Sequence, residues 1–205
     1  MNYTLAEGNR LVKAARYSIE LFLRSPNFNR AHVEDAVRGL DAKEGVFVTI
    51  EHYPTMELRG CIGFPNPVGP LNSSMVEAAI AAATEDPRFV PVSHMELEDI
   101  IIEVSILSKM EPINGSTPEG IKRRIKIGRD GLFLEYGYYS GLLLPIVAVQ
   151  ERWNVEEFLE NLCLKAGLAK HMWRQNGIQL YKFTTQIFRE KEPSGAVEEV
   201  FLGRI

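Results

Sequence analysis

Ile100-Ile101-Ile102-Glu103-Val104-Ser105-Ile106-Leu107 is short and rich in β-branched residues, and it reads as a strand. Alternation puts Ile100, Ile102, Val104 and Ile106 on one face and Ile101, Glu103, Ser105 and Leu107 on the other. Upstream, Val46 to His52 is a second β-rich segment, with Val46, Val48 and Ile50 opposed to Phe47, Thr49 and Glu51. Between the two, Ser74-Met75-Val76-Glu77 has the pattern of a capping box. It opens an alanine-rich helix that should end at Asp86-Pro87, because the residue before proline is disfavoured in the α region. Pro65, Pro67 and Pro70 make a stiff loop ahead of that helix. At the amino end, Thr4-Leu5-Ala6-Glu7 is another capping box. A helix is predicted from Leu5 to Leu23, with Val12, Ala15, Ile19, Phe22 and Leu23 on its apolar face and Ser25-Pro26 as its stop.

Downstream of the central strand, Asn114-Gly115 and Thr117-Pro118 read as turns, and a short helix is expected before Ile125 to Ile127. Gly128 to Gly131 turn the chain into a strand over Leu132 to Glu135. Gly137 and Gly141 bracket two tyrosines in a hairpin-like turn, and Pro145 closes the apolar run that follows. Asn154 caps a helix carrying Phe158, Leu159, Leu162, Cys163 and Ala166, with Gly167 at its C′ position, and Ile178 to Phe188 finishes as a strand. There is no internal repeat or long linker. The order of elements predicts an α+β protein, with antiparallel or mixed sheets flanked by helices in a discontinuous two-lobed body.

Composition narrows the function classes. With 45% hydrophobic and 24% charged residues, a chain of 205 residues can bury a sizeable core without staples. Its 23 basic and 27 acidic side chains give a net charge of -4, which disfavours nucleic acid and anionic lipid as partners. Charged residues interrupt the first 22 positions, so neither a signal peptide nor a membrane span is expected there, and the run from Leu142 to Val149 is too short to cross a bilayer. Cys61 and Cys163 are isolated, a usage that suits a reducing cytoplasm and argues against a structural disulfide.

Leu58-Arg59-Gly60-Cys61-Ile62-Gly63 is the stretch that carries candidate chemistry. Gly60 and Gly63 open backbone angles closed to other residues and let a ligand or another backbone segment come close. Arg59 would favour a thiolate at Cys61 if it reached the sulfur. A catalytic thiol needs a base, for which His94 and Glu103 are the candidates. Glu103, set in an apolar strand, must either find a cation such as Arg59 or Arg88 or have its pKa raised. The opposing reading makes Cys61 a small buried hydrophobe and the charges near it structural, with Arg59 or Arg88 paired to Glu103 or Asp86. His32, His52, His94 and His171 show no metal-ligand spacing, and no cofactor motif is present. The basic run Lys122-Arg123-Arg124-Ile125-Lys126 reads as a solvated helix face.

The Leu58 to Gly63 stretch also resembles the signature of the AMMECR1 family. The resemblance continues through Asp86-Pro87-Arg88-Phe89, Glu103 to Leu107, Gly141 to Pro145, Trp153, Phe158-Leu159, Cys163, Lys165 to Leu168, Trp173 and the segment from Tyr181 to Phe188. One departure is Ile146, where the family commonly has glutamine. The resemblance implies one domain over residues 1–205. Its larger lobe would span about residues 1–55 and 125–205 and its smaller lobe about 56–124, meeting at a cleft. From the residues themselves, Arg59, Cys61, Arg88 and Glu103 are the candidate cleft lining, and Arg59, Gly60, Gly63, Asp86 and Arg88 the candidate ligand-binding set. The resemblance also implies association with Memo-like and radical-SAM proteins. Two function classes follow. One is an enzyme using the Cys61 thiol, with His94 or Glu103 assisting, on a small molecule or a modification target. The other is a non-catalytic binding or adaptor protein.

Overall fold

The 100–107 strand is buried along its length except at Glu103, but only its even-numbered residues pack into the main hydrophobic cluster, and that division places the elements around it. Ile100, Ile102, Val104 and Ile106 are fully buried in a cluster with Leu11, Val12 and Ile19 of the first helix and Val46, Val48 and Ile50 of the first strand. Glu103 keeps some exposed surface on the opposite face. The computed structural model describes residues 2–115 and 117–201. In chain order its elements are α1 (Leu5–Arg24), α2 (Ala31–Ala36), β1 (Gly45–His52), β2 (Glu57–Phe64), α3 (Leu71–Thr84) and β3 (Ile100–Leu107). There follow β4 (Glu111–Pro112), α4 (Pro118–Lys122), β5 (Asp130–Tyr136), β6 (Tyr139–Leu143), α5 (Pro145–Gln150), α6 (Val155–Lys165), β7 (Gln179–Glu190) and β8 (Val197–Val200). Short 3-10 helices lie at His94–Glu98 and Lys170–Arg174. The fold is α+β, as expected.

The described residues form two compact units, one of residues 2–107 with 186–200 and one of residues 108–115 with 117–185. In the first, the strand order is β2-β1-β3-β7, with β8 on the C-terminal residues of β7. The pairings of β1 with β2 and β3 are antiparallel. Helices α1 and α3 cover one face of this sheet. A lobe boundary at residue 55 would part β1 from β2, which are bonded to each other along their whole length. In the second unit β5 lies between β6 and the N-terminal residues of β7, with β4 on β7. Its core is Leu132, Leu134, Phe158, Leu159, Leu162, Cys163 and Trp173. No helix among the described residues is long and apolar enough to cross a membrane.

Two helix starts show local chemistry at work. The α1 capping box forms as its sequence predicts, with Thr4 Oγ1 accepting from Glu7 N and Glu7 accepting from Thr4 N at 2.8 Å. The box expected at Ser74 does not form, because α3 starts at Leu71. The first amides of α3 are satisfied by backbone instead: Leu71 N donates to Ala42 O and Asn72 N to Leu40 O, both at 3.0 Å. Pro145 opens α5 rather than only closing the preceding strand, since a proline at the first helical position forfeits no intrahelical bond.

A buried ion pair ties the first unit together. Arg16 meets Glu190 with two bonds, Nε to Oε1 at 2.7 Å and Nη2 to Oε2 at 2.6 Å. The same guanidinium donates to Leu97 O at 3.1 Å and Ile100 O at 2.7 Å, while Glu190 Oε2 also accepts from Ile102 N. Removing one member strands the other in the core, a loss of about 3–5 kcal/mol. Arg16→Met should therefore lower the urea unfolding free energy by about 3–5 kcal/mol. A loss below about 1 kcal/mol would show the pair to be dispensable.

Candidate functional site

The Leu58 to Gly63 stretch is an edge strand, and being at the edge explains its residues. Gly60 faces α3 so closely that a Cβ there would lie 2.2 Å from Ala82 O, and a Cβ on Gly63 would lie 2.3 Å from Val46 O. Neither glycine takes a positive φ, so the sequence demands glycine here for space and not for backbone angle. Cys61 turns its own N–H and C=O outward, away from β1. Asp86 Oδ2 accepts from Cys61 N at 2.8 Å, and Arg88 Nη2 reaches Cys61 O at 3.5 Å. The Asp86-Pro87-Arg88 turn thus plugs the open edge where it would otherwise offer unpaired groups to another strand.

Arg59 does not serve the thiol. Ile50 pairs with Gly60 but Glu51 pairs with Leu58, so Arg59 is the extra residue of a β-bulge and leaves the alternation that would have set it beside Cys61. Its guanidinium bonds Glu96 at 2.8 Å and lies 5.9 Å from the Phe89 ring centre. Hydrogen bonding from Arg59 holds the Glu96 carboxyl down to about 2. Arg88 approaches the same ring at 5.4 Å and forks onto Asp86, and that bonding holds Asp86 well below the usual carboxylate range. The sequence paired the motif arginines with Glu103 or Asp86. Arg88 does take Asp86, whereas Arg59 takes Glu96.

The polar groups that do gather lie on the sheet face opposite the helices. Thr49 is the register partner of Cys61 on one side and of Glu103 on the other, which makes a row across β2, β1 and β3. Thr49 Oγ1 donates to Cys61 Sγ at 3.3 Å, and Ser105 Oγ donates to Glu103 Oε1 at 3.4 Å. Glu51, paired with Ile101, is the diagonal neighbour of Glu103. Its Oε2 is buried without a hydrogen bond, and Arg189 comes only to 3.9 Å.

Burial sets the protonation of this row. It pushes the Cys61 thiol above its ordinary value, and the pull of Thr49 and Arg88 toward thiolate does not offset it. The Glu103 carboxyl is pushed up to about 7, first by desolvation and then by Glu51. Burial raises Glu51 as well, against Arg189. Of the sequence's two bases, the structure brings Glu103 to the thiol's row. His94 is exposed and lines a groove with Glu20, Arg24 and Glu98 instead. No group of three or more His, Cys, Asp or Glu side chains suited to a metal occurs among the described residues. Both cysteines are free, and Cys163 is a core residue of the second unit.

Thr49, Ser105, Glu51 and Arg189 join the site without having been singled out from the sequence. The first three were legible as polar positions on the off-core faces of two strands. Their meeting depended on register.

The AMMECR1 family model matches residues 12–188. The chain belongs to the AMMECR1 family. It is 49% identical over 196 residues to protein MJ0810 of Methanocaldococcus jannaschii, covering 96% of each chain. A protein of Thermofilum pendens is 48% identical over 204 residues, with 96% of this chain and 95% of that one covered. The crystal structure of uncharacterized protein PH0010 from Pyrococcus horikoshii superposes with a TM-score of 0.89 at 44% identity, covering 95% of this chain and 97% of that one. These likenesses place the AMMECR1 fold and assign no reaction.

Because Glu103 ionises at about 7 in the folded protein and at its ordinary 4.5 when unfolded, the unfolded chain releases that proton first. Its contribution to stability is present at low pH and is lost as pH rises through this window. Glu103→Gln should therefore stabilise the protein more at pH 8 than at pH 5 when urea midpoints are compared. An equal effect at both pH values would mean that the carboxyl titrates normally.

Proposed function

We propose that this AMMECR1 protein is an enzyme in which Cys61 attacks an electrophilic carbon of a small molecule or modification target, with Glu103 as general base. The observation that carries this reading is the row Cys61–Thr49–Glu103, in which a partly exposed thiol shares one sheet face with a carboxyl poised near neutrality. A resting thiolate is not needed. As sulfur bonds to a carbonyl carbon, the S–H proton is relayed by the Thr49 hydroxyl and intervening water to the Glu103 carboxylate two strands away, and the carbonyl π pair moves onto oxygen. Arg88, half exposed beside the Cys61 carbonyl, is the cation available to that developing charge. Thr49 orients the sulfur, Asp86 holds its backbone, and Arg59 fixes the neighbouring turn through Glu96.

The alternative, in which the same groups only stiffen a binding surface, predicts different thiol chemistry. Iodoacetamide labelling of the Cys163→Ala protein separates the two. With Glu103 as base, the rate should climb through pH 7 as the carboxyl ionises and climb again above the ordinary thiol range of about 8.5. Glu103→Gln should remove the lower step and, by removing a negative neighbour, bring the upper step down. A single step in both proteins, or labelling only on unfolding, would make Cys61 a packing residue.

A further inference from the structure

We infer a second site, independent of the Cys61 row: a groove of about 460 Å³ in the first unit that takes a small zwitterion, a free amino acid or dipeptide presenting both its ammonium and its carboxylate. Four charged or titratable side chains line it, Glu20 and Arg24 from α1 and His94 and Glu98 from the 3-10 helix His94–Glu98. None of the four has a hydrogen bond or ion pair among the described residues. Other arginines of this unit are by contrast paired, Arg59 with Glu96, Arg88 with Asp86 and Arg16 with Glu190. Glu20 and Arg24 sit one turn apart on α1 yet do not pair with each other.

The walls of the groove are fixed by the same helix that supplies those charges. Lys13, Arg16, Glu20 and Arg24 are spaced by three, four and four residues and so form one stripe along α1. Arg16 holds one rim by donating to Leu97 O at 3.1 Å. Lys13 holds the other, with its ammonium 2.7 Å from both Ser194 O and Gly195 O in the β7–β8 turn, where Ser194 adopts a φ of 58°. The two more C-terminal members of the stripe remain free to face the groove.

Charge and shape specify the ligand. The Arg24 guanidinium is a planar fork suited to a carboxylate, and Glu20 and Glu98 suit an ammonium group. Met95, strongly exposed, and Leu97 supply apolar contact for a side chain. Two carboxylates against one guanidinium reject a simple dianion and accept a ligand that carries a cation with its anion. The volume lies within the range of small-molecule pockets, about 300–1,000 Å³.

Titration of the full chain with glycyl-leucine, followed by amide shifts in ¹H–¹⁵N spectra, tests the site. Saturable shifts are expected at residues 20–24 and 93–98, with binding at least about tenfold weaker for N-acetyl-glycyl-leucine and for glycyl-leucinamide. Arg24→Gln should weaken glycyl-leucine and leave glycyl-leucinamide unchanged, while Glu20→Gln and Glu98→Gln should do the same relative to the N-acetyl compound. These replacements are on the surface, and the spectra themselves report that the fold is kept. Non-saturating shifts, or equal affinity for capped and uncapped peptides, would overturn the assignment. Cys61→Ala should bind glycyl-leucine as the parent does, so failure of the thiol chemistry leaves this site standing.

Discussion

The Arg16–Glu190 pair is the constraint from which the order of the first unit follows. A guanidinium and a carboxylate buried together bear a heavy desolvation cost, which is offset only when nearly every donor and lone pair is used. Here they are: Arg16 adds the carbonyls of Leu97 and Ile100 to its carboxylate, and Glu190 adds the amide of Ile102. The pair therefore clamps the start of β3 to α1 and to the end of β7. Register is what this protects. A strand slipped by one residue exchanges its faces, and such a slip in β3 would drive Glu103 and Ser105 into the isoleucine core and turn Ile102 and Val104 out. The position of Glu103 beside Thr49 is thus a consequence of an interaction that lies on the other side of the sheet.

The edge of that sheet is governed by a different logic. A strand with free N–H and C=O groups invites pairing with another chain, and β2 meets this with the Asp86-Pro87-Arg88 turn. Using a carboxylate and a guanidinium for the task has a chemical by-product. Arg88 is brought close enough to favour thiolate at Cys61, while Asp86 opposes it, and burial, the largest influence, decides the outcome. The thiol stays protonated at rest. Arg59, which the motif offers as an activator, is taken out of play by the bulge and engages Glu96 and Phe89.

Much of this fold was legible in the sequence, for identifiable reasons. The 100–107 strand matched its predicted bounds because β-branched composition, length and alternation agreed there. The Asn154 cap and Gly167 stop delimited α6 through chemistry confined to one turn at each end. The α3 start was misread because its amides are capped by the carbonyls of Leu40 and Ala42, some thirty residues away in sequence, which no local pattern encodes. β2 was read as a motif and not as a strand, since two glycines lower strand propensity and only the approach of Ala82 and Val46 explains them. At the site, Cys61 and Glu103 could be picked out singly by residue type, but the separation of His94 from them and the addition of Thr49 and Glu51 follow from cross-strand register.

Glu51 and Glu103 are near-equivalent in sequence terms, each a carboxylate on the off-core face of a central strand, and their difference in role follows from one cation. Both are raised by burial, and the neighbouring Glu51 raises Glu103 further. Arg189 favours the charged form of both but reaches ion-pair distance only of Glu51, at 3.9 Å. The larger rise falls on Glu103, the member that lies in the Cys61 row and accepts from the Ser105 hydroxyl. Near pH 7 it is then divided between acid and base forms, and the direction of transfer is set by what binds beside it. A cation approaching the row would draw the proton off Glu103 and hand it a base for the thiol, whereas a bound anion would keep it an acid.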